Sequence, residues 1–183
     1  MTDQLGSRIE SRQADLPTAI FEGDSLFRKK LPIGFKRLCD CKPSHINCMT
    51  AKEWLKSQLG VWQFFYESRD VRDKKVHPAT FPIALAKKLI ELFSHQGELV
   101  LDPFVGSGTT LIAASDLNRN SVGFDLQASY INLCTTRLAN NNNMFNRSCQ
   151  IAIEDDAHNI PLYLNRETVK VIWTSPPYAN LLN

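Results

Sequence analysis

The sequence of 183 residues contains no apolar run that approaches the roughly 20 residues a membrane-spanning helix needs. Its N-terminus (MTDQLGSRIESRQADLP) also lacks the basic start and apolar centre of a signal peptide. Five cysteines, an odd number without a secretion signal, favour reduced thiols over a disulfide framework. The formal net charge of +2 does not by itself indicate nucleic acid. These absences predict a cytoplasmic protein with no membrane contact.

Two common glycine-loop signatures are missing around Gly106 and Gly108. A phosphate-binding P-loop has Lys directly after its last glycine, whereas Thr109 occupies that position. The dinucleotide fingerprint G-x-G-x-x-G needs a third glycine, and Leu111 stands there instead. ATP and NAD are therefore not the predicted ligands of this loop.

The same stretch nevertheless has the order strand, tight loop and helix. Residues 99–101 (LVL) form an apolar run typical of a strand buried on both faces, and Asp102 ends it. Gly106 and Gly108 can adopt positive φ and let a ligand approach the backbone closely. A helix is predicted from Thr109, with its free N–H groups directed at the loop. We therefore predict a ligand site at the carboxyl end of this strand.

Three further strands are predicted at 121–125, 149–153 and 170–173, with helices at 83–94 and 128–139. Asp125 ends the second strand, 23 positions after Asp102. In a doubly wound sheet, an acid about 20 residues beyond the glycine turn is placed to accept hydrogen bonds from ribose hydroxyls. The sequence thus predicts an α/β arrangement with acidic residues at the strand ends.

The first 76 residues are harder to interpret. Residues 1–18 are polar and aperiodic, which predicts a disordered arm, and residues 19–76 are expected to form an α+β extension. Thr50 and Glu53 form a predicted capping box for a helix through Leu59 that ends at Gly60. Residues 61–67 (VWQFFYE) are predicted to be a strand that contributes its aromatic rings to the core, although stacking on bases is an alternative.

A group of potential metal ligands lies between residues 39 and 48. Cys39, Cys41, His45 and Cys48 have the spacing C-x-C…H-x-x-C, which matches no standard structural zinc pattern. No second pair of ligands lies nearby in the sequence. Incidental or buried thiols are favoured over a metal site, and no metal is predicted.

Three motifs together resemble a known family. D-P-F-x-G-S-G-T-T covers residues 102–110, H-P-A-x-F-P covers 77–82 and S-P-P-Y covers 175–178. The set resembles the S-adenosylmethionine-dependent DNA amino methyltransferases of restriction-modification systems, over residues 77–178. The resemblance implies a Rossmann-like methyltransferase fold with a mostly parallel sheet, and a partial catalytic core at 77–183. Because the chain stops five residues after Tyr178, we expect a complementing C-terminal segment or subunit.

The resemblance also implies a cofactor pocket for S-adenosyl-L-methionine. The segment at 77–82 would line the methionine side of the pocket, and an acid after the third strand would meet the adenine amino group. Asp156 is the matching position for that acid, although Asp155 is an alternative. The implied cofactor-binding residues are His77, Pro78, Ala79, Phe81, Asp102, Pro103, Phe104, Gly106, Ser107, Gly108, Thr109, Asp125, Asp156 and Ala157.

The S-P-P-Y motif carries the implied chemistry. An amino group on an aromatic ring is a poor nucleophile, and the Ser175 hydroxyl and Pro176 carbonyl could accept its two hydrogens. Pro177 stiffens the turn, and Tyr178 would stack on a flipped base. No Pro-Cys pair is suitably placed, which argues against carbon-5 methylation of cytosine.

Within the family, Ser before Pro-Pro-Tyr favours cytosine N4 as the target, and double-stranded DNA is the implied partner. Three alternatives stay open: an adenine-N6 DNA methyltransferase, a guanine-N2 RNA methyltransferase, and a non-catalytic fragment or subunit of a split enzyme.

Overall fold

A computed structural model describes residues 31, 37–58, 60–71, 80–141 and 146–176. Several expectations lie outside these residues. They are the disordered arm at 1–18, the first half of the H-P-A-x-F-P motif, and the last two residues of S-P-P-Y.

The helices and strands follow one another in a regular α/β order after a small N-terminal hairpin. In chain order they are β1 (His45–Ile46), β2 (Met49–Thr50), α1 (Ala51–Ser57), α2 (Ser68–Val71), α3 (Ile83–Phe93), β3 (Leu99–Asp102), α4 (Thr109–Asp116), β4 (Asn120–Asp125), α5 (Ala128–Ala139), β5 (Gln150–Glu154), a 3₁₀ turn (Ala157–Asn159), α6 (Ile160–Tyr163) and β6 (Val169–Ile172).

Four of these strands form one parallel sheet in the order β5-β4-β3-β6. Leu101 pairs with Val122 of β4 on one side and with Ile172 of β6 on the other. All four residues of β3 are buried, as expected for a central strand covered on both faces. The predicted α/β fold is confirmed, and each of the four strands predicted from residue 99 onward lies within one residue of its observed ends.

The sheet is covered on both faces. One face packs Leu99, Val122, Phe124 and Ile153 against Tyr163 of α6. The other face receives the helices on either side of the glycine loop, with Val100 buried against α3 and α4, and Ala152 against α4 and α5. Truncating one of the fully buried aliphatic residues to alanine typically costs about 2–5 kcal/mol. This core fixes the strand ends and therefore the loops that follow them.

The helix α3 begins where the sequence predicts, but a residue far upstream caps it. Pro82 occupies the N-cap position and supplies no side-chain hydrogen bond. Instead, the carboxylate of the buried Asp70 accepts from the Ile83 amide at 3.0 Å and from the Glu67 amide at 2.6 Å. Asp70 therefore satisfies a helix amide that would otherwise be buried without a partner. It also ties together the two ends of the segment that contains residues 72–79.

The aromatic stretch at 61–67 corrects two expectations. These residues form no strand, and all except Phe64 are exposed. Val61 is 90% exposed and Phe65 is 80% exposed. Trp62 instead lies with its ring under the Lys88 ammonium, 5.8 Å from the ring centroid. The composition is typical of strands, but the segment has no neighbouring strand to pair with among the described residues, so propensity alone does not decide its structure.

The capping box of α1 is confirmed. The Thr50 hydroxyl accepts from the Glu53 amide, and the Glu53 carboxylate accepts from the Thr50 amide at 2.8 Å. The helix ends at Ser57, two residues before the predicted end. None of the helices in the described ranges has the length and apolar character needed to cross a bilayer.

Candidate functional site

The candidate site lies where the order of the strands reverses. The chain runs outward from β3 to β4 to β5 and then returns to β6 on the other side of β3. Open α/β sheets bind ligands at the carboxyl ends of the strands beside such a reversal. The glycine loop follows β3 there, and Thr174, Ser175 and Pro176 follow β6. The Trp173 amide donates to the Leu101 carbonyl at 3.0 Å, which holds the two strand ends side by side.

Asp102 organises the start of the glycine loop. Its carboxylate is 2% exposed and accepts from the Thr110 hydroxyl at 2.5 Å and from the Phe104 amide at 3.1 Å. Burial raises the pKa of Asp102 above the ordinary range for aspartate, although the hydrogen bond from Thr110 opposes this shift. Both bonds draw the loop back over the end of β3. Asp102 therefore shapes the glycine loop from inside the protein.

Gly108 is required by the packing of the next helix. Its φ is +83°, and a Cβ built at this position would lie 2.3 Å from the Sγ atom of the buried Cys134 in α5. Gly106 also has a left-handed φ, of +48°. At Gly108 the close approach in the structure is between the loop and α5, and the predicted approach of a ligand to the glycine backbone stays a prediction. At Gly106 the positive φ directs the amide toward Asp125.

Arg137 holds the loop from the side of α5, a role that nothing in the sequence pattern signals. Its guanidinium is almost fully buried and donates to the Ser107 carbonyl at 2.7 Å and to the Ser107 hydroxyl at 2.9 Å. A longer contact joins it to the Thr109 hydroxyl at 3.4 Å. The side chains of Ser107 and Thr109 are consequently buried against Arg137. A basic residue in the last turn of a predicted helix would ordinarily be assigned to the surface.

Asp125 links the ends of β3 and β4. One carboxylate oxygen accepts from the Gly106 amide at 3.1 Å, and the other accepts from the Gln127 amide at 2.9 Å. Each carboxylate oxygen has two acceptor positions, so each can accept one further hydrogen bond from a ligand hydroxyl. The residue is only partly buried. Asp125 is therefore oriented by the backbone and can still bind a pair of vicinal hydroxyls.

The two acids after β5 have different environments. Asp155 accepts from the Asn159 side chain and from the Tyr163 hydroxyl, each at 2.7 Å. Asp156 caps the following 3₁₀ turn by accepting from the His158 amide at 2.9 Å. This bond lowers the pKa of Asp156, whose half-exposed side chain stays ionised at neutral pH. Asp155 thus takes part in folding the turn, whereas the Asp156 carboxylate bonds to His158 through Oδ1, which also lies 2.8 Å from His158 Nδ1. The predicted contact of Asp156 with an adenine amino group stays a prediction.

The segment before α3 reaches the turn after β6 through one aromatic pair. The rings of Phe81 and Trp173 meet edge to face with their centroids 5.7 Å apart. Ser175 and Pro176, which follow Trp173, are exposed. The H-P-A-x-F-P segment thus contacts the residue two positions before the S-P-P-Y motif, and the first two residues of that motif face solvent.

The structure brings most of the predicted site residues to one end of the sheet and leaves five undescribed. The residues that end or follow β3, β4, β5 and β6 at this end are Asp102, Pro103, Phe104, Gly106, Ser107, Gly108, Thr109, Asp125, Asp156, Ala157, Ser175 and Pro176. The positions of His77, Pro78, Ala79, Pro177 and Tyr178 lie outside the described residues. Their predicted roles stay predictions.

Comparison with known proteins gives related sequences among DNA-modifying enzymes. Type II methyltransferase M.HpaI of Haemophilus parainfluenzae is 39% identical over 85 residues, which cover 46% of this chain and 27% of that protein. Type II methyltransferase M.MjaI of Methanocaldococcus jannaschii is 36% identical over 110 residues, which cover 57% of this chain and 34% of that protein. The chain therefore spans about a quarter to a third of the length of the curated relatives it matches.

Among solved structures, a protein assigned as a DNA modification methylase from Thermus thermophilus, determined with S-adenosyl-L-methionine, is 28% identical. The match covers 60% of this chain and 40% of that chain with a TM-score of 0.45, which is too low to support an argument. The family model for N6/N4 methyltransferases, described as DNA methylase, matches residues 27–136, which is more than half of the sequence. The chain belongs to the N6/N4 DNA methylase family.

Proposed function

We propose that this chain forms part of a site-specific DNA methyltransferase that methylates the exocyclic amino group of a flipped base. The observation that carries the proposal is the meeting of two motifs at one reversal of strand order. The Asp102 loop and the turn that begins with Ser175 follow neighbouring strands, and the Trp173 amide joins those strands at their ends. One end of the sheet can thus hold both the methyl donor and the acceptor base.

Family membership supports S-adenosyl-L-methionine as the cofactor. The residues present fit this molecule, because Asp125 keeps acceptor positions for ribose hydroxyls and Asp156 offers a half-exposed carboxylate suited to an adenine amino group. Phe104 is 43% exposed at the mouth of the loop and could cover an adenine ring. When bound, the cofactor supplies an electrophilic methyl group.

The role we propose for the turn after β6 is to prepare the acceptor. The Ser175 hydroxyl and the Pro176 carbonyl accept the two hydrogens of an aromatic amino group and draw its nitrogen toward tetrahedral geometry. The nitrogen lone pair would then be less delocalised into the ring and a better nucleophile toward a bound methyl donor. The bond that breaks would be the one between the methyl group and the donor sulfur, which would leave as a neutral thioether, and one amino hydrogen would be lost as a proton to solvent. The groups act by position and hydrogen bonding, so no covalent intermediate with the protein is required.

The cofactor assignment is tested by calorimetry on Asp125→Ala. Removing an ionised acceptor typically costs about 1.5–3 kcal/mol of binding energy. Glu91→Gln in α3 is the control, since it removes one negative charge away from the loop. Circular dichroism should show that both variants are folded. Equal affinity of folded Asp125→Ala and wild type would contradict the ribose assignment.

For the target atom, we propose cytosine N4, with adenine N6 as the second candidate. The basis is the residue type at Ser175, which the resemblance associates with cytosine. Mass spectrometry of digested DNA after treatment with the complete enzyme should detect N4-methylcytosine. N6-methyladenine alone would replace the base assignment and leave the mechanism intact, whereas 5-methylcytosine would contradict both.

The guanine-N2 RNA methyltransferase alternative is separated by the same readout with RNA as substrate. Ser175→Ala should lower turnover on DNA by about 10²-fold while cofactor affinity is unchanged, because the hydroxyl acts only on the base. A methylated RNA product with unmodified DNA would overturn the choice of substrate.

A cytoplasmic location, where DNA is accessible in a bacterial or archaeal cell, is part of this proposal.

The proposal also includes a complementing segment or subunit. Within the described ranges β6 forms an edge of the sheet, and Ile172 is 64% exposed. An exposed strand edge with an apolar side chain can pair with a further strand. Assays of this polypeptide with and without the segment encoded downstream test the point. Full activity of the 183-residue polypeptide alone would remove this part of the proposal.

A further inference from the structure

Four side chains of metal-ligand type meet at the end of the sheet opposite the glycine loop. They are Cys39, Cys41, Cys48 and His95, and their ligand atoms all lie within 4.8 Å of one another. Cys39 and Cys48 each place Sγ 3.5 Å from the Nδ1 atom of His95. His95 is buried in the turn between α3 and β3, and the three cysteines are partly buried.

The two sulfur–nitrogen separations match those between ligands of a tetrahedral zinc ion, and the remaining ligand atoms lie close enough to reach such positions by small side-chain movements. With Zn–S near 2.3 Å and Zn–N near 2.0–2.1 Å, sulfur and nitrogen ligands are about 3.6 Å apart and two sulfurs about 3.8 Å apart. The two measured sulfur–nitrogen distances are 3.5 Å. A set of three thiolates and one imidazole favours zinc over magnesium or calcium, which prefer oxygen ligands.

The backbone at Cys48 adopts a conformation that is unusual for cysteine. Asn47 and Cys48 form the two-residue turn between β1 and β2, with φ of 51° and 69°. Asparagine is common at such positions, whereas cysteine rarely adopts the left-handed region. The Gln96 amide donates to Cys48 Sγ at 3.4 Å, which is the kind of second contact that orients a thiolate ligand. The turn therefore directs this sulfur toward His95.

Other contacts already hold the two segments together. The Leu38 amide donates to the Gln96 carbonyl at 2.8 Å, and the Asn47 side chain donates to the Leu92 carbonyl. The Glu98 carboxylate accepts from the His95 amide at 2.7 Å, so the backbone of the histidine is fixed. The site is thus assembled between two pieces of chain that are each held independently of any ion.

We propose that Cys39, Cys41, Cys48 and His95 bind one zinc ion that fastens residues 37–50 to the turn between α3 and β3. All four ligands come from the protein, which is the arrangement of a structural site. Strand β3 separates it from the glycine loop, and its four residues span about 13 Å. The ion stabilises the docking of the N-terminal segment and takes no part in methyl transfer.

Zinc content of the purified full chain tests this proposal. Protein produced with zinc present and kept reduced should contain one zinc per chain by elemental analysis, and chelation should lower its melting temperature. Cys41→Ser and His95→Gln should lose most of the metal. Cys149→Ser and His45→Gln are the controls, since neither residue belongs to the cluster although His45 completes the spacing seen in the sequence. Both controls should keep their zinc.

Cobalt substitution covers the case in which the ligand variants fail to fold. Wild-type protein with cobalt should show the visible absorption of a tetrahedral site and a sulfur-to-cobalt charge-transfer band. His95→Cys should keep the metal and gain charge-transfer intensity, because a fourth thiolate replaces the imidazole. Protein without stoichiometric zinc, zinc that persists in folded Cys41→Ser and His95→Gln, or loss of zinc in His45→Gln would each overturn the assignment.

Discussion

The two ends of strand β3 are built in different ways. At the carboxyl end, the glycine loop is shaped largely within one contiguous stretch, with Asp102 bonded to Phe104 and Thr110, and Arg137 and Asp125 then hold this loop from other elements. At the amino end, His95 meets cysteines that lie 47 and 56 positions away in the chain. A contiguous motif can therefore be recognised in a sequence, whereas a site assembled from distant segments cannot.

The largest effect is expected for Gly108→Ala, which tests how tightly the carboxyl end is packed. The new Cβ combines a left-handed φ with a clash against Cys134, and together these should cost about 2–4 kcal/mol of unfolding free energy. Denaturant titration measures the change. Gly60→Ala is the matched control, because Gly60 has φ +69° and open space around it. A similar loss in both variants would show that the backbone, and not the packing of α5, requires glycine.

Arg137→Met should have the next largest effect and affect the glycine loop selectively. The substitution removes the hydrogen bond that Arg137 donates to the buried Ser107 carbonyl, which should cost about 1–3 kcal/mol of unfolding free energy. Hydrogen exchange of the Gly106 to Gly108 amides should accelerate, and cofactor affinity should fall. Arg147→Met removes an exposed arginine as the control. Unchanged exchange in the loop would show that Arg137 does not hold it.

Asp102 and Asp116 should contribute to the stability of the fold with opposite dependences on pH. Burial raises the pKa of Asp102, so its contribution to stability is greatest at acid pH and is lost as pH rises from the ordinary aspartate range through its folded pKa. Burial also acts on Asp116, but bonds from Asn141, Lys87 and Arg69 outweigh it and lower the pKa of Asp116. The contribution of Asp116 is therefore present above its ordinary range and is lost as pH falls through its folded pKa.

The measurement is unfolding free energy between about pH 3 and pH 7, the range where aspartate carboxyls titrate. As pH rises, the unfolding free energy of Asp102→Asn should increase relative to that of wild type. The unfolding free energy of Asp116→Asn should decrease relative to that of wild type over the same range. Parallel curves for the two variants would contradict this assignment of opposite shifts.

The smallest effect on stability is expected for Arg37, which lies at the surface near the amino end of strand β3. Arg37 is 55% exposed in its ion pair with Glu98, and such pairs are worth about 0–1 kcal/mol. Arg37→Gln should therefore change stability by less than about 1 kcal/mol, and added salt should reduce the difference further. A loss as large as that caused by metal removal would mean that the ion pair, and not the metal, fastens the segment.

The α/β alternation and the place of the glycine loop could be predicted from the amino-acid sequence. The apolar strands, the capping box at Thr50 and the ends of α5 all matched, because each depends on residues close together in the chain. Asp125 was also placed correctly at the end of β4, because the apolar pattern of that strand marks where it ends. Residues 61–67 were misassigned because strand propensity acts only when a neighbouring strand and a face to bury are present.

Which polar groups are buried, and what they contact, depends instead on the folded arrangement. Arg137 and Asp70 carry charges that are ordinarily exposed, and their roles depend on carbonyls and amides brought to them by other elements. His45 has the sequence spacing of a ligand, but His95 occupies the position beside the thiols. Contacts of this kind depend on how the strands stack in space, and no local periodicity or spacing contains that information.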